Sequence, residues 1–331
     1  MGPVPLSTSS SDQRLPALAY RLLWVAALAF SLVLFAGAEA LLRRAGHLSS
    51  ITDSQALWSL HLDRALQQTN GIILAGASQA QLGISVDDFE RETGRALANL
   101  TINGNSPLPL VKYLAEETDF RGTLLIDVLE PHGATHYKDS TTTQYIHYYQ
   151  TSKGSGALLN PLVNQLILNG LQRSWVFFSA NVRLPSVLGN RPPFYVQTLP
   201  TRTKRAFYRT MVSPASQPRP PQPPLPFSDD EWAQWKATVK DMGAWVARIQ
   251  ARQGRVVFIC FPRRAGAYDE QFPRALYWDY LVSQVPAASI HFADYPALLR
   301  FELPDGLHVD AADAPAFTRE LTRILAQNHL F

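Results

Sequence analysis

Two stretches of the chain alternate between short apolar runs and longer amphipathic segments. The apolar runs contain β-branched residues and stop at turn residues, which predicts buried strands at 71–75, 96–102, 123–129, 255–261 and 288–292. The segments between and after them predict helices at 85–94, 108–117, 228–252 and 314–327. Strands that alternate with helices form a parallel sheet with right-handed crossovers, so we expect an α/β fold.

Capping residues mark where two of these helices begin and end. Ser228 is followed three residues later by Glu231, the spacing of a capping box, and Ser85 likewise precedes an acidic first turn. Gly94 and Gly254 stand where these two helices should stop, because glycine readily adopts the left-handed conformation that ends a helix.

A long apolar run lies near the N-terminus. Residues 22–38 are uncharged, and with 39–42 the run reaches about 21 residues, enough to cross about 30 Å of hydrocarbon as a helix. Interfacial anchor residues flank it: Arg21 and Trp24 at one end, Arg43 and Arg44 at the other. We therefore predict a disordered tail at 1–15 and a transmembrane anchor at 16–44.

Two alternatives to the anchor are open. Ala36-Gly37-Ala38 could serve as the cleavage site of a signal peptide, although the run is long for one. The run could also be a buried helix of a soluble protein. Basic residues are nearly balanced on its two sides, so we place the N-terminus in the cytoplasm mainly because the chemistry downstream suits an extracytoplasmic domain.

The remaining chain divides into three parts. Leucines at roughly helical spacing predict a helical neck at 45–69, followed by the α/β domain at 70–331. The periodic pattern is lost between 140 and 227, where we expect a long, irregular, aromatic-rich insertion at the rim of the sheet. Prolines are dense from Pro214 to Pro226, which predicts an extended polyproline segment there.

Charge and cysteine content exclude several classes of function. The net charge is only +3 and no long basic run occurs, which disfavours nucleic-acid binding. Cys260 is the single cysteine, which excludes an internal disulfide framework and a multi-cysteine zinc site. It falls inside a predicted strand, where burial would make a thiol a poor nucleophile.

Polar residues follow the predicted strands at one edge of the sheet, where α/β proteins place their sites. Ser78 comes directly after the first strand, at a turn whose backbone N–H groups could stabilise an oxyanion. Asp305 stands three residues before His308, a spacing that lets the carboxylate bind the imidazole ring. A serine needs a base, and the base needs an acceptor that orients it, so these three residues predict a nucleophile with its two partners.

The order of these motifs resembles the SGNH (GDSL-like) hydrolases. The chain carries Gly76-Ala77-Ser78 in the position of the first block, Asn103-Gly104-Asn105 in that of the second and Asp305-Gly306-Leu307-His308 in that of the last. The resemblance covers roughly residues 70–138 and 228–327. It is similar in particular to the membrane-anchored members of bacterial envelopes, which implies a flavodoxin-like three-layer parallel sheet with a periplasmic catalytic domain on a single-pass inner-membrane anchor.

This resemblance implies a serine esterase or O-acyltransferase that acts on acyl groups of envelope polysaccharide or exopolysaccharide and needs no cofactor. A multi-spanning acyltransferase is the partner that the resemblance suggests. Ser78, His308 and Asp305 would be catalytic, and Ser78, Gly104 and Asn105 would form the oxyanion hole. Two departures stand out. Ala77 replaces the usual aspartate, and Glu130-Pro131-His132 replaces the Gly-x-Asn-Asp block expected after the third strand.

Weaker candidates complete the set. His132, Arg263 and Arg264 could bind an anionic substrate, although we prefer to interpret the two arginines as solvated. His132 and His136 could pair on a metal, but Pro131 and Gly133 favour a loop, and we expect no metal site. Two rival functions stay open: a plain esterase, which differs only in its acceptor, and a non-catalytic scaffold or glycan-binding subunit that kept the fold and lost the chemistry.

Overall fold

A parallel five-stranded sheet forms the centre of the protein. The computed structural model describes residues 17–128, 140–153, 159–183, 193–211, 228–264 and 273–331. The strands of the sheet are β1 (Ile72–Ala75), β2 (Leu97–Asn99), β3 (Thr123–Asp127), β6 (Arg255–Cys260) and β7 (Ala288–His291). A separate antiparallel hairpin joins β4 (Val196–Thr198) to β5 (Lys204–Ala206).

The strand order is β2-β1-β3-β6-β7, with every neighbouring pair parallel. The chain therefore winds outward in both directions from β1 and β3, and the sheet is doubly wound. The strands are buried along almost their whole length, which explains why they appear in the sequence as unbroken apolar runs. Cys260 is a buried thiol at the end of β6, as its sequence position indicated.

The helices of the described residues are these: α1 (Ala17–Arg44), α2 (Gln55–Gln67), α3 (Ser78–Gly83), α4 (Val86–Thr93), α5 (Leu108–Glu116), α6 (Thr141–Lys153), α7 (Leu159–Ser174), α8 (Tyr208–Met211), α9 (Asp229–Ala251), α10 (Arg274–Gln284), α11 (Pro296–Leu299) and α12 (Ala314–Gln327). The helices that surround the sheet fall into two groups according to which helices contact each other. One group contains α3, α4 and α12, and the other contains α5, α9 and α10.

The capped helices match their predicted bounds. Ser85 accepts a hydrogen bond from the backbone N–H of Asp88, and Gly94 ends α4 with φ of 65°. Ser228 and Glu231 form the reciprocal capping box at the start of α9. The prediction of an α/β fold with a parallel sheet is therefore confirmed, together with these helix boundaries.

The described residues of the predicted insertion (140–227) are more regular than their sequence indicated. Two helices (α6 and α7), the β4–β5 hairpin and α8 lie inside 140–227, so the prediction of an irregular segment is wrong for the described residues. The hydrophobic pattern is weak there because α7 buries polar residues and exposes apolar ones, against the usual rule. The polyproline prediction falls within 212–227, outside the described residues.

Two further elements differ from the prediction. The helix expected over 45–69 is confined to α2, and its Trp58 is fully buried with its indole N–H donating to Leu100 O at 3.0 Å. This helix is therefore packed on the domain rather than extended as a neck. The helix α10 had not been predicted, because its apolar residues show little helical periodicity.

Helix α1 is long and apolar enough to cross a membrane. The candidate span covers Leu18–Arg44, which is 27 residues or about 40 Å of helix. Its large apolar side chains are mostly exposed, including Leu23, Trp24 and Phe30. The helix is therefore not a core helix of the described domain.

Candidate active site

Ser78 is the first residue of α3 and follows β1 after a two-residue turn. The strand order reverses between β1 and β3, so Ser78 lies at the switch point where doubly wound sheets bind ligands. Gly76 is required in this turn, because a Cβ there would lie 2.4 Å from the Cβ of Asp127. The glycine lets the chain pass closely over the end of β3.

Asp127 holds the turn that carries Ser78. It is the last residue of β3 and only 1% exposed, and its Oδ2 accepts hydrogen bonds from the backbone N–H groups of Ala77 at 3.2 Å and Ala80 at 3.4 Å. These bonds satisfy N–H groups at the start of a short helix, where no carbonyl of the helix can. Sequence reasoning missed Asp127; its only signal was an aspartate that ends an apolar strand.

Ser78, His308 and Asp305 form a continuous hydrogen-bonded chain. The Oγ of Ser78 lies 2.8 Å from Nε2 of His308, and Nδ1 of His308 lies 2.6 Å from Oδ2 of Asp305. Ser78 precedes Asp305 and His308 by more than 220 positions in the chain, and the fold brings the three residues together. Because a carboxylate can only accept, Nδ1 carries a proton, and a neutral ring then offers Nε2 as acceptor to the serine hydroxyl.

The loop before His308 is built around the Asp305 carboxylate. Its Oδ1 accepts from the backbone N–H groups of Leu307 at 3.0 Å and His308 at 2.8 Å, and Gly306 turns the chain with φ of 86°. Burial would raise the pKa of Asp305, but the hydrogen bonds and charge of His308 and the two backbone donors lower it to about 2. Asp305 is therefore a carboxylate at any physiological pH.

Tyr208 of the insertion contributes to the same cluster. Its ring stacks on His308 with an interplanar angle of 6°, and its hydroxyl lies 3.1 Å from Nδ1 of His308. Because that nitrogen already donates to Asp305, the hydroxyl donates to the Asp305 carboxylate. Burial and the neighbouring Asp305 charge raise the pKa of Tyr208 well above its ordinary value, so the phenol stays protonated. Nothing local in the sequence pointed to Tyr208.

Gln79 ties three segments of the site together. Its side-chain amide donates to Pro262 O at 2.9 Å and to Leu307 O at 3.1 Å. The residue after Ser78 is thereby fixed to the loop after β6 and to the loop that carries His308. This arrangement limits relative movement of the serine and the imidazole.

Gly104 and Asn105 lie at the same edge of the sheet as Ser78. The chain after β2 continues beside β1, with Leu100 N–H donating to Leu74 O and Ile102 N–H to Gly76 O. Gly104 is exposed in a turn with φ of 67°. The Asn105 side chain accepts from Thr141 N–H at 2.8 Å and donates to Asn103 O at 2.8 Å, so it also anchors the first turn of α6.

The remaining candidates are placed differently. Arg263 is 9% exposed, so our preference for a solvated side chain is wrong at that position. Arg264 is exposed, and its guanidinium donates to Leu303 O at 3.2 Å while its backbone N–H donates to Gly306 O, which supports the Asp305 loop. His132 and His136 lie outside the described residues. Among the residues that are described, no group of three or more His, Cys, Asp and Glu side chains could hold a metal ion.

A scan against protein-family models finds no match for this sequence, and a search of curated proteins finds no relative. The site must therefore be judged by its own geometry. A serine at a strand-to-helix turn, an imidazole within hydrogen-bonding distance and a buried carboxylate behind it satisfy the geometric requirements of a nucleophile, a general base and an orienting acceptor.

Proposed function

We propose that the protein is a membrane-anchored serine esterase or O-acyltransferase of the SGNH (GDSL-like) type, with its catalytic domain outside the cytoplasm. The observation that carries the proposal is the chain of hydrogen bonds from Ser78 through His308 to Asp305 at the switch point of a doubly wound sheet. The strand order, which is that of flavodoxin-like sheets, and the apolar helix α1 support the fold type and the anchor.

Acyl transfer proceeds in two steps at this site. His308 takes the proton of Ser78 as the serine oxygen attacks the carbonyl carbon of an ester, and the same proton then passes to the departing alcohol. An acceptor hydroxyl, from a sugar or from water, loses its proton to His308 and attacks the acyl-serine, which releases Ser78. Asp305 stabilises the imidazolium that forms in each step, and Tyr208 orients Asp305.

The oxyanion would be held by backbone N–H groups at the start of α3 and in the 103–105 turn. Gly104 and Ser78 supply these groups, and the Asn105 amide can add only its second N–H, because the first donates to Asn103 O. Acylated envelope polysaccharide is the substrate class that the family resemblance implies. A multi-spanning acyltransferase is the partner that the same resemblance implies.

The test is labelling of the detergent-solubilised full-length protein with a fluorophosphonate, followed by mapping of the modified peptide. We expect an adduct on Ser78 that Ser78→Ala abolishes, and a labelling rate that falls at least about 10³-fold in His308→Ala because the base is lost. The exposed Ser283 supplies a matched control, since Ser283→Ala removes a serine hydroxyl away from the triad. A folded wild-type protein without an adduct on Ser78 contradicts the proposal.

A non-catalytic scaffold is the second candidate, and the absence of a Gly-x-Asn-Asp block after the third strand in the sequence favours it. The two functions differ in what Ser78 does. A scaffold would bind acylated glycan equally well as wild type and as Ser78→Ala, and neither form would turn over an ester. A triad enzyme would lose about 10⁴–10⁶ in turnover with the same substitution.

A further inference from the structure

Helix α7 in the insertion is packed with its polar face inward. Three polar side chains on one face are almost completely buried: Gln165 at 8%, Asn169 at 7% and Gln172 at 4% exposed. Apolar side chains on the opposite face are exposed: Val163 at 44%, Leu166 at 54%, Ile167 at 60% and Leu171 at 41%. This is the reverse of a surface helix in water, where the apolar face packs on the core.

The inward polar face is fixed to the segment before α2. Gln165 accepts from the Ser54 hydroxyl at 2.5 Å and donates to Asn169 at 2.6 Å, while Gln172 accepts from Thr52 N–H at 2.8 Å and donates to the Thr52 hydroxyl. The buried side chains of α7 form hydrogen bonds with one another and with Thr52 and Ser54. Rotation of the helix about its axis would leave these polar groups unpaired. Its apolar face is therefore held outward by the structure.

The exposed apolar face continues into a group of aromatic residues beside α1. Trp175, Phe177 and Phe178 follow α7 directly and are each 38–42% exposed. All three rings lie against the ring of Phe35, at centroid distances of 5.1, 5.4 and 5.7 Å. We call the exposed side chains of Val163 to Phe178 the apolar face; it is continuous with the side of α1.

The contacts with α1 place the apolar face at a defined level along that helix. Phe35 lies inside the apolar run of α1, and one turn later Glu39 accepts from the N–H groups of Val176 at 3.0 Å and Phe177 at 2.8 Å. Arg43 adds a bond to Ser174 O. Since Phe35 belongs to the membrane-spanning part of the chain, the rings that touch it must reach the interfacial layer of the same membrane, where Trp and other aromatic side chains are favoured.

We propose that α7 and residues 175–178 form a second membrane contact, in which the apolar face lies in the interfacial layer of the bilayer that α1 crosses. This inference rests on the proposed anchor. An amphipathic helix seated in this way buries its apolar side chains about 5–10 Å into the boundary between headgroups and acyl chains. The domain that carries Ser78 is then held at a fixed orientation to the membrane instead of moving freely on a single helix.

The experiment measures lipid contact directly in the full-length protein. Single cysteines replace Ile167 on the apolar face, Leu276 and Leu299 on exposed surfaces elsewhere, and Phe30 in the span; each is labelled with bimane and the protein is reconstituted in nanodiscs. Cys260 is buried, so the unsubstituted chain gives the background labelling. Doxyl-labelled phosphatidylcholine quenches only those fluorophores that touch the acyl region.

We expect quenching at residue 167 several-fold above that at 276 and 299, and approaching that at residue 30. Equal quenching at 167, 276 and 299 together with strong quenching at 30 overturns the membrane contact but leaves the anchor. Absence of quenching at residue 30 overturns both. Fluorophosphonate labelling of Ser78, measured on the same samples, separates either failure from a failure of the proposed chemistry.

Discussion

Asp305 carries the negative charge that orients His308, and donors of three kinds surround it. The imidazole binds one oxygen, two backbone N–H groups bind the other, and the Tyr208 hydroxyl adds a further bond to the carboxylate. The charge of Asp305 is thus shared among several partners. Each donor also fixes the position of the carboxylate, and so the orientation of the imidazole that it holds.

The first prediction at this scale concerns Tyr208→Phe. The substitution keeps the ring that stacks on His308 and removes only the hydroxyl. We expect fluorophosphonate labelling and p-nitrophenyl acetate hydrolysis to slow by about 3–10-fold. A hydrogen bond to a charged group is worth roughly 1.5–3 kcal/mol, but this one is made in the free enzyme as well as in the transition state, so only part of it is lost from the barrier. We also expect the decrease to fall on kcat and to leave KM for p-nitrophenyl acetate unchanged, because the Tyr208 hydroxyl acts on Asp305.

Tyr195→Phe supplies the control for that experiment. The centroid of the Tyr195 ring lies 5.3 Å from that of Tyr208. Tyr195→Phe therefore removes an equivalent hydroxyl from the neighbouring ring, which does not stack on His308. A role limited to folding would lower the amount of folded protein and leave kcat per labelled Ser78 unchanged. An unchanged kcat in folded Tyr208→Phe would therefore rule out the role of a positioning residue.

At the scale of elements, the β4–β5 hairpin is fixed to the main sheet by a buried arginine. Arg202 lies in the hairpin turn, is 0% exposed, and donates to Asn99 O at 2.6 Å and Thr101 O at 3.1 Å after β2. Its guanidinium also forms two bonds with Asp53, at 2.7 and 3.1 Å, and Lys204 lies 3.2 Å from the same carboxylate. Through this hairpin the insertion delivers Tyr208 to the site.

Asp53→Asn should lower stability markedly, because it leaves the Arg202 guanidinium buried without its counter-ion. Burial alone would raise the pKa of Asp53, but Arg202 and Lys204 outweigh it and lower the pKa, so the side chain is ionised in the wild type. Breaking one partner of a buried ion pair costs about 3–5 kcal/mol. We expect the unfolding midpoint in detergent to fall by roughly 5–10 °C, measured by circular dichroism.

The matched substitution is Asp119→Asn, which removes a carboxylate from an exposed loop position. Its effect should stay within about 0.5 kcal/mol, as is usual for surface positions. If Asp53→Asn and Asp119→Asn have the same unfolding midpoint, the Arg202–Asp53 pair does not stabilise the folded protein.

Capping residues and hydrophobic periodicity predicted some helices of the protein and missed others. Helices α4 and α9 were found from Ser85, Gly94 and the Ser228–Glu231 box, which are signals contained within a few residues. Helix α7 was missed because its buried face is polar and its exposed face is apolar. The hydrophobic pattern expected of a helix packed on a core in water does not describe it. Its environment had to be known before its sequence could be interpreted.

At the scale of the whole molecule, the buried His291 and the partly buried His61 couple folding to pH. Burial, with Arg202 next, lowers the pKa of His61 to about 4, and burial, with Arg274 next, lowers that of His291 to about 4. Both rings are neutral in the folded protein near pH 5, whereas in the unfolded chain a histidine is protonated below about pH 6.5. The unfolded state then binds more protons, and stability must fall as the pH falls from about 6.5 to about 4.

We therefore expect the thermal midpoint to decrease steadily over that pH window, measured by scanning calorimetry at constant ionic strength. His291→Asn should reduce the pH dependence, since it removes one of the groups that titrate differently in the two states. Gln284→Asn serves as the control, because it changes an exposed amide that does not titrate, so the slope should not change. A midpoint that is constant between pH 6.5 and 4.5 would show that these histidines do not titrate as described.

The sequence by itself determined the α/β class, the apolar N-terminal helix and the positions of Ser78 directly after the first strand and of Asp305 and His308 after the last one. These features depend on local runs, caps and short spacings, and on the fact that parallel strands share one carboxyl edge. The tertiary structure alone decided that Asp127 holds the serine turn, that Gln79 joins three loops and that Tyr208 bonds Asp305. Those contacts join residues far apart in the chain through packing of a whole domain, and no local pattern encodes a distance of that kind.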